Sequence, residues 1–307
     1  MATRRSLAVA IALAALIGLV SAAGPLTTAV EPQTPQAAPA LDLPNRPGSL
    51  KFAVLGDFGN GSRQQTELGA QMARLRTRFP FEFVITVGDN IYGGDRPQDM
   101  RRKFELPYKA LLDDGVKFYA SLGNHDDRAQ ARYALFNMDG RTYYTFKAPA
   151  GDARFFALET DYLKAPQVAW LEKELASSNE RWKIPYFHHP LYSSGKRHGS
   201  HTDLAAVLEP MFLRAGVSVV FAGHDHFYER TKPQKGIVYF VIGSGGQLRK
   251  GGIDRRTGLT ARGFDSDQAF LVAEIDGDQL HFNAISRLGT VIDSGVIERR
   301  HEESAAQ

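Results

Sequence analysis

Five short clusters of carboxylate, amide, phenol and imidazole side chains punctuate the 307-residue chain: Gly56-Asp57-Phe58-Gly59, Gly88-Asp89-Asn90-Ile91-Tyr92, Gly123-Asn124-His125-Asp126, His188-His189-Pro190 and Gly223-His224-Asp225-His226. Seven of the nine histidines fall between His125 and His226. Carboxylate oxygen and imidazole nitrogen suit iron and borderline divalent ions, and one carboxylate can bridge two of them. Two ions about 3.5–4 Å apart can activate a water between them and hold both oxygens of a phosphoryl displacement. The ligand set therefore points to a binuclear centre and to hydrolysis of a phosphate ester, ahead of redox or acyl-transfer chemistry. With no cysteine in the chain, thiolate ligands, thiol nucleophiles and disulfides are excluded, and histidine and carboxylate must carry any metal chemistry.

Short apolar runs precede these clusters. Strand-like stretches over 51–55, 83–87, 116–120, 182–187 and 217–221 alternate with helical periodicity after Ser62, around 101–112 and over 167–177. Residues 141–148 and 153–159 form an aromatic-rich hairpin pattern, and beyond Gly236 strand follows strand over 237–242, 269–275, 280–285 and 291–297. The expected architecture is α/β: two mixed sheets flanked by helices, a four-layer α/β/β/α sandwich. In such a sheet the crevice beyond the strand carboxyl ends is where loops deliver ligands to one point.

The order Asp-x-Gly, Gly-Asp-x-x-Tyr, Gly-Asn-His-Asp, His before Pro, and Gly-His-x-His resembles the calcineurin-like metallophosphatase superfamily. The tyrosine of the second cluster narrows the likeness to the purple acid phosphatases, of the small, single-domain, tartrate-resistant type. The resemblance spans residues 51 to about 250. It implies two metal ions: Fe(III) held by Asp57, Asp89, Tyr92 and His226, and a divalent ion (Fe, Zn or Mn) held by Asn124, His188 and His224, with Asp89 shared. It implies hydrolysis of phosphate monoesters, with metal-bound hydroxide as nucleophile. His125 is then the imidazole that steadies phosphate and protonates the leaving oxygen, and His198 a second catalytic, substrate-contacting histidine. The family's valine three residues before the fourth-cluster histidine is here Pro185, and His189 stands beside His188. On an extended chain only one of two neighbours can face the site, and the ligand is expected two residues before the proline, at His188.

Each residue has a plainer reading when taken singly. Asp57 or Asn124 alone is an N-cap or turn residue, Tyr92 a core aromatic, Asp126 equally an orienter of a histidine or a loop hydrogen-bonder, and His201 a structural residue before a helix starting at 202 or 203. Five clusters in order behind strand-like runs outweigh those readings. Gly243-Ser-Gly-Gly246 lacks the Lys-Ser or Lys-Thr of a P-loop and is read as a loop at the edge of the site. The same frame also suits a phosphodiesterase, or a non-enzymatic binding module that has lost its ligands.

The chain ends frame this catalytic region, expected over 49–300. Arg4 and Arg5, an apolar run over 7–20 and a small-residue stretch make residues 1–23 a secretory signal pattern, so the protein is expected to be exported, to the periplasm or outside the cell. Residues 24–48, with Pro25, Pro32, Pro35, Pro39, Pro44 and Pro47, read as a tether, and 301–307 as a tail. Once Arg4 and Arg5 are set aside with the signal, 35 basic residues face 34 acidic ones. That balance gives no reason to expect nucleic acid or a stable membrane partner; a small phosphorylated substrate is the expected partner.

Overall fold

Residues 41–150 and 152–300 are described in a computed structural model. The expected signal segment, the tether over 24–40 and the tail over 301–307 lie outside the described residues. No described helix is long and apolar enough to cross a membrane.

The strands in chain order are β1 (Leu50–Leu55), β2 (Phe83–Val87), β3 (Lys117–Ser121), β4 (Tyr144–Lys147), β5 (Ala153–Ala157), β6 (Trp182–Tyr186) and β7 (Val219–Ala222). They continue with β8 (Tyr228–Thr231), β9 (Val238–Ile242), β10 (Thr260–Phe264), β11 (Ala269–Asp276), β12 (Gln279–Ser286) and β13 (Val291–Glu298). The α-helices are α1 (Arg63–Arg76), α2 (Pro97–Met100), α3 (Lys109–Asp113), α4 (Ala165–Ala176) and α5 (Thr202–Arg214). One sheet runs β13-β12-β11-β1-β2-β3 and the other β10-β8-β9-β7-β6-β5-β4. In the first, β1, β2 and β3 are parallel while β11 lies antiparallel to β1; in the second, β5, β6, β7 and β9 are parallel. Both sheets are mixed, as expected.

Aromatic side chains lock the sheets face to face. Phe52 of β1 meets Phe155 of β5 edge-on at 5.1 Å, and Phe240 of β9 meets Phe282 of β12 at 5.0 Å. Such edge-to-face pairs contribute about 0.5–1.5 kcal/mol beyond their burial. Because side chains alternate along a strand, Phe156 points the other way, into a second core with Leu171 and Leu175 of α4 and Leu208 and Phe212 of α5. Leu68, Met72 and Leu75 of α1 cover the first sheet. Ser62 caps α1 by accepting from the Gln65 N–H at 3.2 Å. β1, β2 and β7 are buried on every residue, as strands covered on both faces must be.

Two expectations change. The helix read around 101–112 is broken into α2, a π-helical turn over Arg101–Glu105 and α3. Pro107 is the cause: it has no N–H for an intrahelical bond, and its ring clashes with the carbonyl one turn earlier. Residues 41–48, read as the end of the tether, are fastened to the first sheet. Leu41 and Leu43 pack on the core, and the Asp42 N–H donates to Asn283 Oδ1 at 2.9 Å. The N–H groups of Asn45 and Arg46 donate to the two oxygens of Glu274 at 2.6 Å each, and the Ser49 hydroxyl donates to the same carboxylate.

Glu274 is fully buried on β11 opposite Lys51, and its two oxygens take the N–H groups of Asn45 and Arg46 as well as the Ser49 hydroxyl, which also reaches the Arg46 carbonyl at 2.8 Å. Glu274→Ala is expected to cost about 2–3 kcal/mol and lower the thermal midpoint by roughly 5–10 °C, measured by circular dichroism. An unchanged midpoint would show that the strap adds nothing to the fold.

Candidate metal centre

All five clusters leave their strands at carboxyl ends on one side of the two sheets. Asp57, Asp89, His188 and His224 each stand two residues past β1, β2, β6 and β7, and Asn124 three past β3. Three of these turns use left-handed backbone at residues other than glycine, with φ of 54° at Asp57, 51° at Asp89 and 71° at His224. Such a conformation costs about 1 kcal/mol or more per residue and persists where the surroundings over-determine it. The loops also leave no room for a side chain. A Cβ on Gly123 would sit 2.3 Å from Asp89 Oδ1, and one on Gly223 2.4 Å from Asp57 Oδ2. Each glycine backbone is thus the wall against which another loop's carboxylate rests. The run Gly243–Gly246 closes the edge, its Gly246 N–H donating to the Asp57 carbonyl at 3.1 Å.

The donor atoms form two groups with one member in common. Tyr92 Oη donates to Asp89 Oδ2 at 2.9 Å and lies 3.3 Å from both Asp57 Oδ1 and His226 Nε2. On the other side, His188 Nε2 lies 3.0 Å from Asn124 Oδ1, 3.1 Å from His224 Nδ1 and 3.4 Å from Asp89 Oδ1. Asp89 therefore turns one oxygen to each group. His188 Nδ1 sits 3.0 Å from the Val87 carbonyl, which fixes the proton there and leaves Nε2 as a bare lone pair facing an amide oxygen. Two lone pairs at that separation lack a hydrogen between them, and a cation is what suits them.

Electrostatics make the same demand. The Asp57 carboxyl is driven well above the usual range by burial and then by Asp89, and the Tyr92 phenol is pushed up by burial, Asp57 and Asp89. Burial, then Arg249, holds His226 down at about 4, and burial with four neighbouring imidazoles holds His224 far below its ordinary value. Among the described residues no lysine or arginine pairs with Asp57 or Asp89; their ion-pair contacts are His226 and His188. Neutral imidazoles around two buried carboxylates fit divalent or trivalent ions.

Every residue singled out in the sequence lies here. The His125 ring is 4.7 Å from that of Tyr92, and the backbone N–H of His125 donates to Asp89 Oδ1 at 2.9 Å. His198, exposed at the rim, lies with its ring 4.1 Å from that of His224. Asp126 proves to be the clasp of the second and third loops, accepting from the N–H groups of Gly123, Asn90 and Ile91 and from the Asn90 amide at 2.9–3.0 Å. Burial, then Asp89, raises its carboxyl to about 7.

The fourth cluster departs from expectation. Both of its histidines face inward, with His189 4.5 Å ring to ring from His224 and within the same donor group as His188. Strand alternation does not apply because the chain has already left β6 at Tyr186. His189 Nδ1 is tied to Thr160 Oγ1 at 3.0 Å, a partner to which no sequence signal pointed. Asp225, between the two histidines of the last cluster, accepts from Ser193 Oγ at 2.6 Å and the Gly199 N–H at 3.2 Å, and so carries the loop of His198.

Because the Nε2 lone pair of His188 meets both Asn124 and Asp89, His188→Ala is expected to weaken binding of one divalent ion at least a hundredfold. His189→Ala, which leaves that meeting point intact, is expected to cost about tenfold. Titration of chelator-stripped protein with zinc measures both, and the reverse order would move the ligand to His189.

The fold has counterparts among known proteins. A family model described as calcineurin-like phosphoesterase matches residues 50–228. Purple acid phosphatase 4 of Arabidopsis thaliana is 28% identical over 272 residues, covering 77% of this chain and 80% of its own. A Plasmodium protein described as GAP50, the anchor in the inner membrane complex, superposes with a TM-score of 0.70 at 20% identity over 84% of this chain and 91% of its own. The purple acid phosphatase PPD1 of yellow lupin, Lupinus luteus, gives 0.62 at 18% identity over 84% and 55%.

Proposed function

The chain belongs to the calcineurin-like phosphoesterase family, and from that membership we propose that it is an exported phosphomonoesterase working with two metal ions. The observation that carries this reading is Asp89, one oxygen of which faces each donor group. Asp57, Tyr92 and His226 would hold a ferric ion, and Asn124, His188 and His224 a divalent ion (Fe, Zn or Mn), with Asp89 shared. Once bound, such ions supply Lewis-acid charge to a phosphoryl group and make water a competent nucleophile near neutral pH.

The side chains do the rest. Asp126 keeps the loops of Asp89 and of Asn124 in register, so the two donor groups hold their spacing. His125, placed over the Tyr92 ring, delivers a proton to the departing oxygen. His198 at the rim contacts the phosphate. The fold alone does not decide activity, since a protein described as an anchor shares it; the intact ligand set here favours hydrolysis over a binding role. The amino-terminal signal pattern supports export, to the periplasm or the outside.

The same metal-loaded sample should turn over p-nitrophenyl phosphate at least about tenfold faster, in kcat/KM, than bis(p-nitrophenyl) phosphate, because a diester presents one fewer phosphoryl oxygen to the two ions. A preference for the diester would make the protein a phosphodiesterase. Hydrolysis of neither would leave the binding role.

A further inference from the structure

Two loops at the mouth of the metal centre are knitted together by backbone pairing. Gly195 bridges Ile253, the Lys196 N–H donates to the Gly252 carbonyl at 2.9 Å, and the Asp254 N–H donates to the Ser194 carbonyl at 2.7 Å. The first loop carries Arg197 next to His198, whose ring lies on that of His224. The second carries Arg249, whose backbone N–H donates to the His226 carbonyl at 2.8 Å, followed by Lys250. Lys196 adds its charge at the same rim, its ammonium donating to the Gly251 carbonyl at 2.6 Å. The joined loops thus set basic side chains beside two of the site's histidines.

These cations are unspent. Among the described residues Arg197, Arg249 and Lys250 have no carboxylate partner, whereas most arginines on the rest of the surface are paired, as Arg63 is with Glu67 and Arg214 with Glu172. Of the acids nearby, Asp225 is buried and takes bonds from Ser193 and Gly199, Glu229 is buried and accepts from the Ser194 N–H, Asp265 faces the Ile253 N–H, and Asp254 is paired with Arg256. Arg197 and Lys250 are exposed and Arg249 partly so, which leaves their charge open to an incoming anion. The charges of Arg197 and Arg249 lie within electrostatic reach of the His198 imidazole, and that of Arg249 within reach of His226. In a chain so nearly balanced in charge, this local excess of positive charge stands out.

We infer that this wall is a second anion site, and that preferred substrates carry a further phosphate beside the one that is hydrolysed. The inference rests on the phosphomonoesterase reading and adds the substrate class to it. Arginine suits the task, since its planar fork takes two oxygens of a phosphate at once. One phosphate enters the metal centre, while the second lies outside it, between Arg197 and Arg249, with Lys250 adding long-range attraction. No bond to the second phosphate is made or broken.

Fructose 6-phosphate and fructose 1,6-bisphosphate differ only in the second phosphate, and comparing them on the metal-loaded protein tests this directly. The bisphosphate is expected to have about tenfold higher kcat/KM at low ionic strength, with the advantage shrinking in 0.5 M salt. In Arg197→Gln/Arg249→Gln, checked for equal metal content and an unchanged circular dichroism spectrum, the ratio of the two constants should fall toward one; lysine at both positions should restore part of it. Equal constants in the parent, or an advantage that survives both the double substitution and high salt, would overturn the second anion site. Were the double variant to lose its fold, Arg197→Gln alone, on an exposed loop, and the salt series decide by the same ratio. Turnover of p-nitrophenyl phosphate with hydrolysis of neither sugar phosphate would overturn this inference alone, whereas hydrolysis of none of the three would contradict the monoesterase reading as well.

Discussion

Two carboxylates, Asp57 and Asp89, are buried side by side with a phenol between them, and among the described residues no lysine or arginine balances them. In a low-dielectric interior that arrangement is unfavourable by itself, and the group nearest to relief is the proton. Much else in the molecule holds this unfavourable cup in shape. The left-handed turns at Asp57, Asp89 and His224 aim the donors, the bare glycine backbones back them, and Asp126 clamps the loops. The strain is local, and it is offset by a large double-sheet core.

The same constraint explains why so much was legible in the sequence. Ligands that must converge from several strands leave a series of Gly-Asp and Gly-His clusters behind apolar runs, and both features survive in one dimension. The boundaries of β1, β2 and β6 fell within one residue because these strands are buried on both faces and read as short, largely apolar runs. What stayed hidden depends on contacts between segments distant in the chain. The grip of Glu274 on residues 45–49, the inward turn of His189 and its bond to Thr160, and the pairing of β8 with β10 have no local signature. Pro107 was visible, and its helix-breaking effect should have divided the segment read as one helix.

Shared fold at 20% identity or less says how the sheets are stacked; the donor atoms say what the stack holds. The basic rim belongs to neither level, being set by two loops whose pairing only the folded chain displays.

The central claim is that Asp89 serves two ions at once, and elemental analysis of the purified protein beside its Asp89→Asn variant tests it most directly. The account predicts two metal ions per active chain, and a variant that keeps its fold but retains fewer than one. A fully active protein with a single ion, or an Asp89→Asn variant that still binds two, would contradict it.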